Sequence, residues 1–298
     1  MKIVRAATLG FCFGVRRAVD LADEAARNAA NSSGKVYTFG PLIHNPQVLE
    51  DLKRRGVETL DESTLPPNLH GASIIIRAHG LSPQLEAKLR ETGAKIIDAT
   101  CPRVKASQLK AAAFASAFAA DGYRLFLAGE EHHAEIAGIR GYAGDAFYAV
   151  AGNAAEAKVL AQRLLAQDSG AKTALIGQTT ISPEEYMAIG HAITPFFPDL
   201  EIAQTICAAT KERQDALRQI LDKVDAVIIA GGKDSANTRR LLSIAETAGK
   251  PCAIAETAED IPAEFFSLAT VGLASGASTP DAGIDNIAGY ISKKYALC

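Results

Sequence analysis

The chain has 298 residues and a formal net charge of -3, the balance of 31 Lys plus Arg against 34 Asp plus Glu, with 48% hydrophobic and 22% charged residues. At about twice the roughly 150 residues of an average domain, it is expected to form two or three lobes with a sizeable core. The charge balance excludes wholesale coating of nucleic acid or of an anionic membrane, which both draw affinity from basic excess, and leaves small anionic ligands open.

Met1 to Val15 is apolar after Lys2 and Arg5, but Gly10 and Gly14 interrupt it, and Arg16-Arg17 stand where a secretion signal would have small residues for cleavage. The chain is therefore expected to be cytoplasmic. Strand-length apolar runs follow at Lys2 to Ala7, Lys35 to Gly40, Ala72 to Ala78, Lys95 to Ala99, Arg124 to Ala128 and Ala146 to Val150. Thr173 to Ile176, Glu201 to Ile206, Ala226 to Ala230, Pro251 to Ile254 and Thr270 to Leu273 continue the series. Between them lie segments of helical spacing, among them Val15 to Ala26, Pro46 to Arg55, Val104 to Phe118, Ala154 to Leu165, Lys211 to Val224 and Arg239 to Ala248. Such alternation implies right-handed crossovers and parallel sheets, so the fold class is α/β. The pattern breaks at Asp98 to Pro102 and at Pro195 to Pro198, which predicts three small lobes: 13–100, 101–198 and 199–298, the last joined by the N-terminal strand 1–12. The longest uncharged stretch, Phe265 to Pro280, is broken by Ser, Thr and Gly and falls short of the about 20 apolar residues of a spanning helix, so no membrane segment is expected.

Five widely spaced cysteines, Cys12, Cys101, Cys207, Cys252 and Cys298, do not form a secreted disulfide framework. Three of them recur in one context: Cys12, Cys101 and Cys207 each follow a strand and precede a helix, where backbone N–H groups and the helix dipole favour a thiolate. Singly, each reads as a buried small hydrophobe. If three lobes point their strand ends at one centre, the sulfurs can meet there, and such a set suits an iron-sulfur cluster with one iron left open, clusters usually taking four cysteines. Cys252, inside a strand, and the terminal Cys298 lack this context and read as structural.

The other strand ends carry polar residues: His44-Asn45, His79-Gly80, Gln178-Thr179-Thr180, Gly231 to Asn237 and Gly276 to Pro280. Hydroxyls and N–H groups at helix starts can hold phosphate oxygens, which implies an anionic ligand; the plain alternative is that each is a helix cap. In Gly129 to Glu135, Glu130 with His133 and Glu131 with Glu135 can share faces of a helical turn, which admits a dinuclear metal site, a solvated loop, or proton delivery by Glu135 with His133 as relay.

Gly10-Phe11-Cys12-Phe13-Gly14-Val15, Gly40-Pro41-Leu42-Ile43-His44-Asn45-Pro46-Gln47-Val48, Ala78-His79-Gly80, Asp98-Ala99-Thr100-Cys101-Pro102 and His133-Ala134-Glu135 resemble, in this order, the LytB/IspH family of 4-hydroxy-3-methylbut-2-enyl diphosphate reductases. Gln178-Thr179-Thr180, Ile206 to Thr210 with Arg213-Gln214, Ser235 to Thr238 and Gly276 to Asp281 extend the similarity over nearly the whole chain. The resemblance implies a cloverleaf of three α/β lobes around one [4Fe-4S] cluster held by Cys12, Cys101 and Cys207. It implies that His44, His79, His133, Ser235, Asn237, Ser278 and the backbone at Ala236 grip an allylic diphosphate, that Glu135 donates a proton, and that Thr179 holds the substrate hydroxyl and Glu135 in register. Ala236 stands where the family usually has serine, Ala134 replaces a usual proline, Glu130 a usual histidine, and Arg103 a commonly apolar residue.

The expected activity is reductive dehydroxylation to isopentenyl and dimethylallyl diphosphates, the last step of the non-mevalonate isoprenoid pathway. No nicotinamide or flavin motif is evident, so an external donor of the ferredoxin or flavodoxin type is expected. A non-redox hydratase or dehydratase, a paralogue acting on another small anion, and an electron-transfer protein with a closed cluster stand as alternatives.

Overall fold

The computed structural model describes residues 2–32 and 34–295. The elements in chain order are β1 (Lys2–Arg5), α1 (Phe13–Ser32), β2 (Val36–Phe39), α2 (Pro46–Arg54), β3 (Val57–Leu60), β4 (Ser73–Ile76), α3 (Pro83–Glu91) and β5 (Lys95–Asp98). There follow α4 (Pro102–Asp121), β6 (Arg124–Ala128), α5 (Ala134–Ala143), β7 (Phe147–Ala151), α6 (Ala154–Gln167), β8 (Thr173–Gly177), α7 (Pro183–Ile193) and β9 (Glu201–Ile202). The last are α8 (Ala208–Leu221), β10 (Ala226–Ala230), α9 (Ala236–Thr247), β11 (Cys252–Ala255), β12 (Thr270–Ser275) and α10 (Asp281–Tyr295).

The strands form three four-stranded sheets, ordered β1-β12-β10-β11, β3-β2-β4-β5 and β7-β6-β8-β9. Every pairing among the described residues is parallel. Two compact units emerge: Met1–Arg16 with Ile43–Arg55 and Ala208–Cys298, and Arg17–Leu42 with Gly56–Cys207. The first unit contains one sheet and the second contains two.

Parallel strands covered on both faces must be apolar throughout, and the central strands show why these segments pair. In the first unit, Ile228 of β10 packs with Leu273, Ile284 and Ile287, placing α10 on one face. Val227 and Ile229 turn the other way, against Leu217 and Ile220 of α8 and Leu241 of α9. In the second unit, Phe126 and Ala128 of β6 pack with Ala157 and Ala161 of α6 and Ile189 of α7. Leu125 and Leu127 meet Ala111 of α4 and Ile136 and Ile139 of α5. Each fully buried side chain of this size contributes on the order of 1.5 to 3 kcal/mol. The remaining sheet buries Tyr37, Phe39, Ile74 and Ile76 with Leu89 of α3.

Parallel strands joined through helices bring strand carboxyl ends and helix N-termini to one edge of each sheet. The helix starts are chemically marked. Asn45, Ser82, Ser182 and Ser235 accept from backbone N–H groups of α2, α3, α7 and α9 as side-chain caps.

Two expectations are corrected. The strand expected at Glu201 to Ile206 is paired only over β9, because the chain leaves the ladder and Thr205 Oγ1 accepts from Gly177 N–H (2.9 Å) in place of a backbone partner. β9 pairs with β8, so the sheet of β6 to β9 takes in residues beyond 198. The turn shared by Glu131 and Glu135 does not exist: α5 begins only at Ala134, with extended His133 as its N-cap, and Glu130 and Glu131 are exposed while Glu135 is buried. Glu131 and Glu135 therefore share no helical face, whereas Glu130 and His133 do share a turn, His133 N–H donating to Glu130 O at 2.9 Å. Cys298 lies outside the described residues. Among the described residues no helix is long and apolar enough to cross a membrane.

Candidate active site

Within the second unit a continuous set of contacts runs from one of the expected cysteine ligands to another. Cys101 N–H donates to Ala78 O at 2.9 Å. The next residue, His79, presents its ring edge-on to His133, with centroids 5.4 Å apart. His133 Nδ1 accepts from the Glu135 N–H (3.1 Å), the cap of α5, so in the neutral ring the proton resides on Nε2. Glu135 Oε1 accepts from Thr179 N–H at 2.7 Å and Oε2 from the Thr179 hydroxyl at 3.0 Å. The Thr179 carbonyl then accepts from Cys207 N–H at 2.9 Å.

Local sequence explains this chain of contacts. Gly80 has φ +70°, and a Cβ there would lie 2.4 Å from Gln108 Nε2, so only glycine lets the His79 turn close. Gln178, after β8, accepts from Glu130 N–H (3.0 Å) and donates to the Thr180 hydroxyl (2.8 Å), tying the loop after β6 to the loop after β8. In the sequence motif Gln178 carries no evident role, because its partner lies too far along the chain to leave a local signal. The Glu130 contact runs through backbone, which any residue supplies, and Ala134 sits at the first position of α5, where the missing N–H of proline would also be tolerated. Those two departures leave the geometry intact. Arg103 is exposed on the first turn of α4, and nothing in the structure explains it.

Glu135 is 1% exposed. Burial pushes its carboxyl up from 4.5 to about 7, and the two bonds from Thr179 pull against that rise. A carboxyl poised there is protonated in a large fraction of molecules at neutral pH and can give its proton away, the requirement for a general acid.

In the first unit, the turns after β10 and β12 and the start of α2 meet. Ser278 Oγ donates to His44 O at 3.1 Å, and a Cβ on Gly232 would lie 2.7 Å from that same carbonyl. Ser235 caps α9 by accepting from Thr238 N–H at 3.4 Å, which leaves its hydroxyl hydrogen available to an acceptor. The cap reading is thus realised without excluding a binding role. Ala236 and Asn237 open α9, and Asn237, 3% exposed, has neither amide nitrogen nor oxygen hydrogen-bonded among the described residues. A buried bare amide beside a helix N-terminus is costly alone and matches an anionic ligand.

The cysteines fit a soft-metal group by donor chemistry. Cys12, Cys101 and Cys207 are half-buried and outside any disulfide. Each directly precedes a helix, α1, α4 and α8 respectively, and Cys101 stands at an N-cap with no side-chain capping bond. Three sulfurs with no paired spacing suit iron and sulfide better than a zinc finger. Cys252 differs: it lies in β11 and burial raises its thiol pKa, in keeping with a structural role.

The profile of the LytB protein family matches residues 3–292. A protein of Treponema denticola named 4-hydroxy-3-methylbut-2-enyl diphosphate reductase is 44% identical over 290 residues, covering 96% of this chain and 98% of its own. One of the same name from Desulfovibrio desulfuricans is 38% identical, covering 98% and 99%. Among solved structures, the E-1-hydroxy-2-methyl-but-2-enyl-4-diphosphate reductase from Plasmodium falciparum aligns with a TM-score of 0.86 at 25% identity, over 97% of this chain and 87% of that one. A structure described as (E)-4-hydroxy-3-methyl-but-2-enyl diphosphate reductase, the terminal enzyme of the non-mevalonate pathway, aligns with a TM-score of 0.68 at 35% identity, over 98% and 99%. With its ordered motifs, three parallel sheets and a profile match from end to end, the chain belongs to the LytB family, a family of iron-sulfur enzymes.

Proposed function

We propose that this chain reduces 4-hydroxy-3-methylbut-2-enyl diphosphate to isopentenyl and dimethylallyl diphosphates, closing the non-mevalonate pathway as its relatives' names describe. The observation that carries the reading is Glu135, buried, raised to about 7, and held on both oxygens by the residue whose carbonyl binds the Cys207 N–H. Cys12, Cys101 and Cys207 would hold one [4Fe-4S] cluster, which would supply electrons singly and Lewis acidity toward the substrate oxygen. The electrons come from an external donor of the ferredoxin or flavodoxin type.

In the net reaction one C–O bond breaks, two electrons and two protons are taken up, and one water leaves. Glu135 gives one of those protons to the departing oxygen, so that water leaves and not hydroxide. The Thr179 hydroxyl donates to that carboxyl, and by accepting from the substrate hydroxyl it would hold both in register. The Glu135 N–H donates to His133 Nδ1, which puts the proton of the neutral ring on Nε2. His44, His79, His133, Ser235, Asn237, Ser278 and the Ala236 N–H hold the diphosphate, whose remote binding energy places the carbon skeleton. Nothing in the Ala236 side chain replaces the serine hydroxyl, a loss of about 0.5 to 1.5 kcal/mol of anchoring.

Anaerobic reconstitution with iron and sulfide, followed by an assay with the hydroxylated C5 diphosphate and dithionite, tests the proposal. Reductant-dependent formation of the two C5 diphosphates is expected. Turnover without reductant would instead identify a hydratase or dehydratase, and absence of bound iron would end the reading.

A further inference from the structure

The loop that carries Cys12 is held from two sides at a single residue, all within the first unit. Gly10 has φ +79°, a left-handed conformation that L side chains rarely adopt, so the turn favours glycine. Its N–H donates to Ser275 Oγ at the end of β12 (3.0 Å), and its carbonyl accepts from Arg213 Nη2 at 2.7 Å. Arg213 Nη1 donates to Ala209 O at 3.0 Å, in the first turn of α8. Two further backbone bonds complete the loop: Cys12 N–H to Ala277 O at 3.0 Å, and Arg16 N–H to Cys12 O at 2.9 Å.

Arg213 is 3% exposed, an unusual place for a guanidinium, and burial strengthens its charge-assisted bonds to both carbonyls. Its planar fork fixes the two acceptors relative to each other, which a lysine ammonium on a flexible stem cannot do. Along the chain, Gly10 stands two residues before Cys12 and Ala209 two residues after Cys207. One guanidinium therefore joins the approach to one expected ligand to the exit from another.

We propose that Arg213 is a positioning residue of the cluster site: it clamps the Gly10 peptide to α8, so that Cys12 is presented as a preformed ligand instead of a loop that orders when the cluster enters. The proposal rests on the reading of Cys12 as a ligand, but its physical content, a loop rigid before loading, is independent of that reading.

The test uses the full chain with Arg213→Met, which removes the fork, and Arg213→Lys, which keeps the charge. Hydrogen exchange of the apoprotein should show residues 10–12 exchanging about tenfold faster in Arg213→Met, the loss of roughly one charge-assisted bond, with Arg213→Lys in between and the amides of β10 and β12 unchanged. After reconstitution, iron should pass to a chelator about tenfold faster from Arg213→Met, with partial rescue in Arg213→Lys. Wild-type exchange at residues 10–12 in a folded Arg213→Met protein would overturn the proposal. If that variant does not fold, Arg213→Lys decides on the same readout: faster exchange supports the clamp and wild-type exchange refutes it. A wild-type chain that binds no iron would sink the reading of Cys12 and leave the exchange experiment to judge Arg213.

Discussion

The acid segment and the anion-binding segment spend their polar atoms in opposite ways. Around Glu135 the hydrogen bonds are already made: both carboxylate oxygens, His133 Nδ1, the Thr179 N–H, hydroxyl and carbonyl, and both ends of the Gln178 amide have partners. At the start of α9 the reverse holds. The Asn237 amide and the Thr238 hydroxyl are buried with no hydrogen-bond partner among the described residues. Buried polar groups in native proteins are nearly always paired, so bare ones gathered at the head of a helix fit a site that a ligand completes. On the proposed function, proton delivery would be assembled in advance, as electrostatic preorganisation demands, whereas anchoring would be completed by the substrate.

The largest effect expected belongs to neither segment but to what both serve. Cys101→Ser should lose most iron and sulfide per chain after reconstitution, while its backbone bond to Ala78 leaves the acid segment folded. Unchanged iron content would remove Cys101 from the ligand set.

Glu135→Gln keeps the shape of the acid segment and removes its proton. The rate constant kcat should fall by about 10² to 10⁴ with KM nearly unchanged, as loss of a general acid dictates. Two pH dependences follow from a carboxyl raised from 4.5 to about 7. In the wild type, activity should fall as pH rises through about 7, because the ionised form has no proton to give. Stability should also fall as pH rises, but over a lower interval, between about 4.5 and 7, since there the native state holds a proton that the unfolded chain has released; the total is on the order of 3 kcal/mol. Glu135→Gln should flatten that stability slope, which denaturant titrations at several pH values would measure. A slope retained in the variant would assign it to another group.

Asn237→Leu tests the start of α9. If the amide is bare until substrate binds, its replacement by an apolar group of similar size should raise KM by about tenfold or more, yet stabilise the apoprotein by about 1 kcal/mol. Enzyme kinetics and thermal unfolding together decide; a destabilised apoprotein would mean the amide is already paired, and the contrast drawn above would collapse.

How much of this was legible in the sequence depended on range. The central strands β6 and β10 matched their apolar runs end to end, because burial on both faces leaves an unbroken signature. The strand-cysteine-helix context was readable too, helped by Pro102 at the head of α4. α5 was not: its apolar positions Ile136, Ile139 and Ala143 begin only after the polar run Glu130 to Glu135, which dominates a short window. The roles of Gln178 and Arg213 were hidden for a different reason. Their partners Glu130 and Gly10 lie 48 and 203 residues away, and a side chain bonded to distant backbone leaves no periodicity behind. The early end of β9 was hidden in the same way, since the Thr205 hydroxyl that takes the place of a ladder bond after Ile202 reaches back to Gly177, 28 residues earlier.

The smallest effect tests how the acid segment tunes itself. Thr179→Val keeps the volume and the backbone bond to Oε1 but deletes the hydroxyl bond to Oε2. That hydroxyl favours the ionised carboxylate, and its removal lets burial push Glu135 higher still. A neutral hydrogen bond of about 0.5 to 1.5 kcal/mol corresponds to a rise of roughly 0.4 to 1 pH unit, the upper figure applying only if the protonated carboxyl gains little from the same hydroxyl. The alkaline limb of kcat/KM should therefore move up by that amount, even though kcat itself falls through loss of substrate registration. A limb that moves down would show that the hydroxyl accepts from protonated Glu135 more strongly than it donates to the carboxylate, and Thr179 would then be the relay through which the proton leaves.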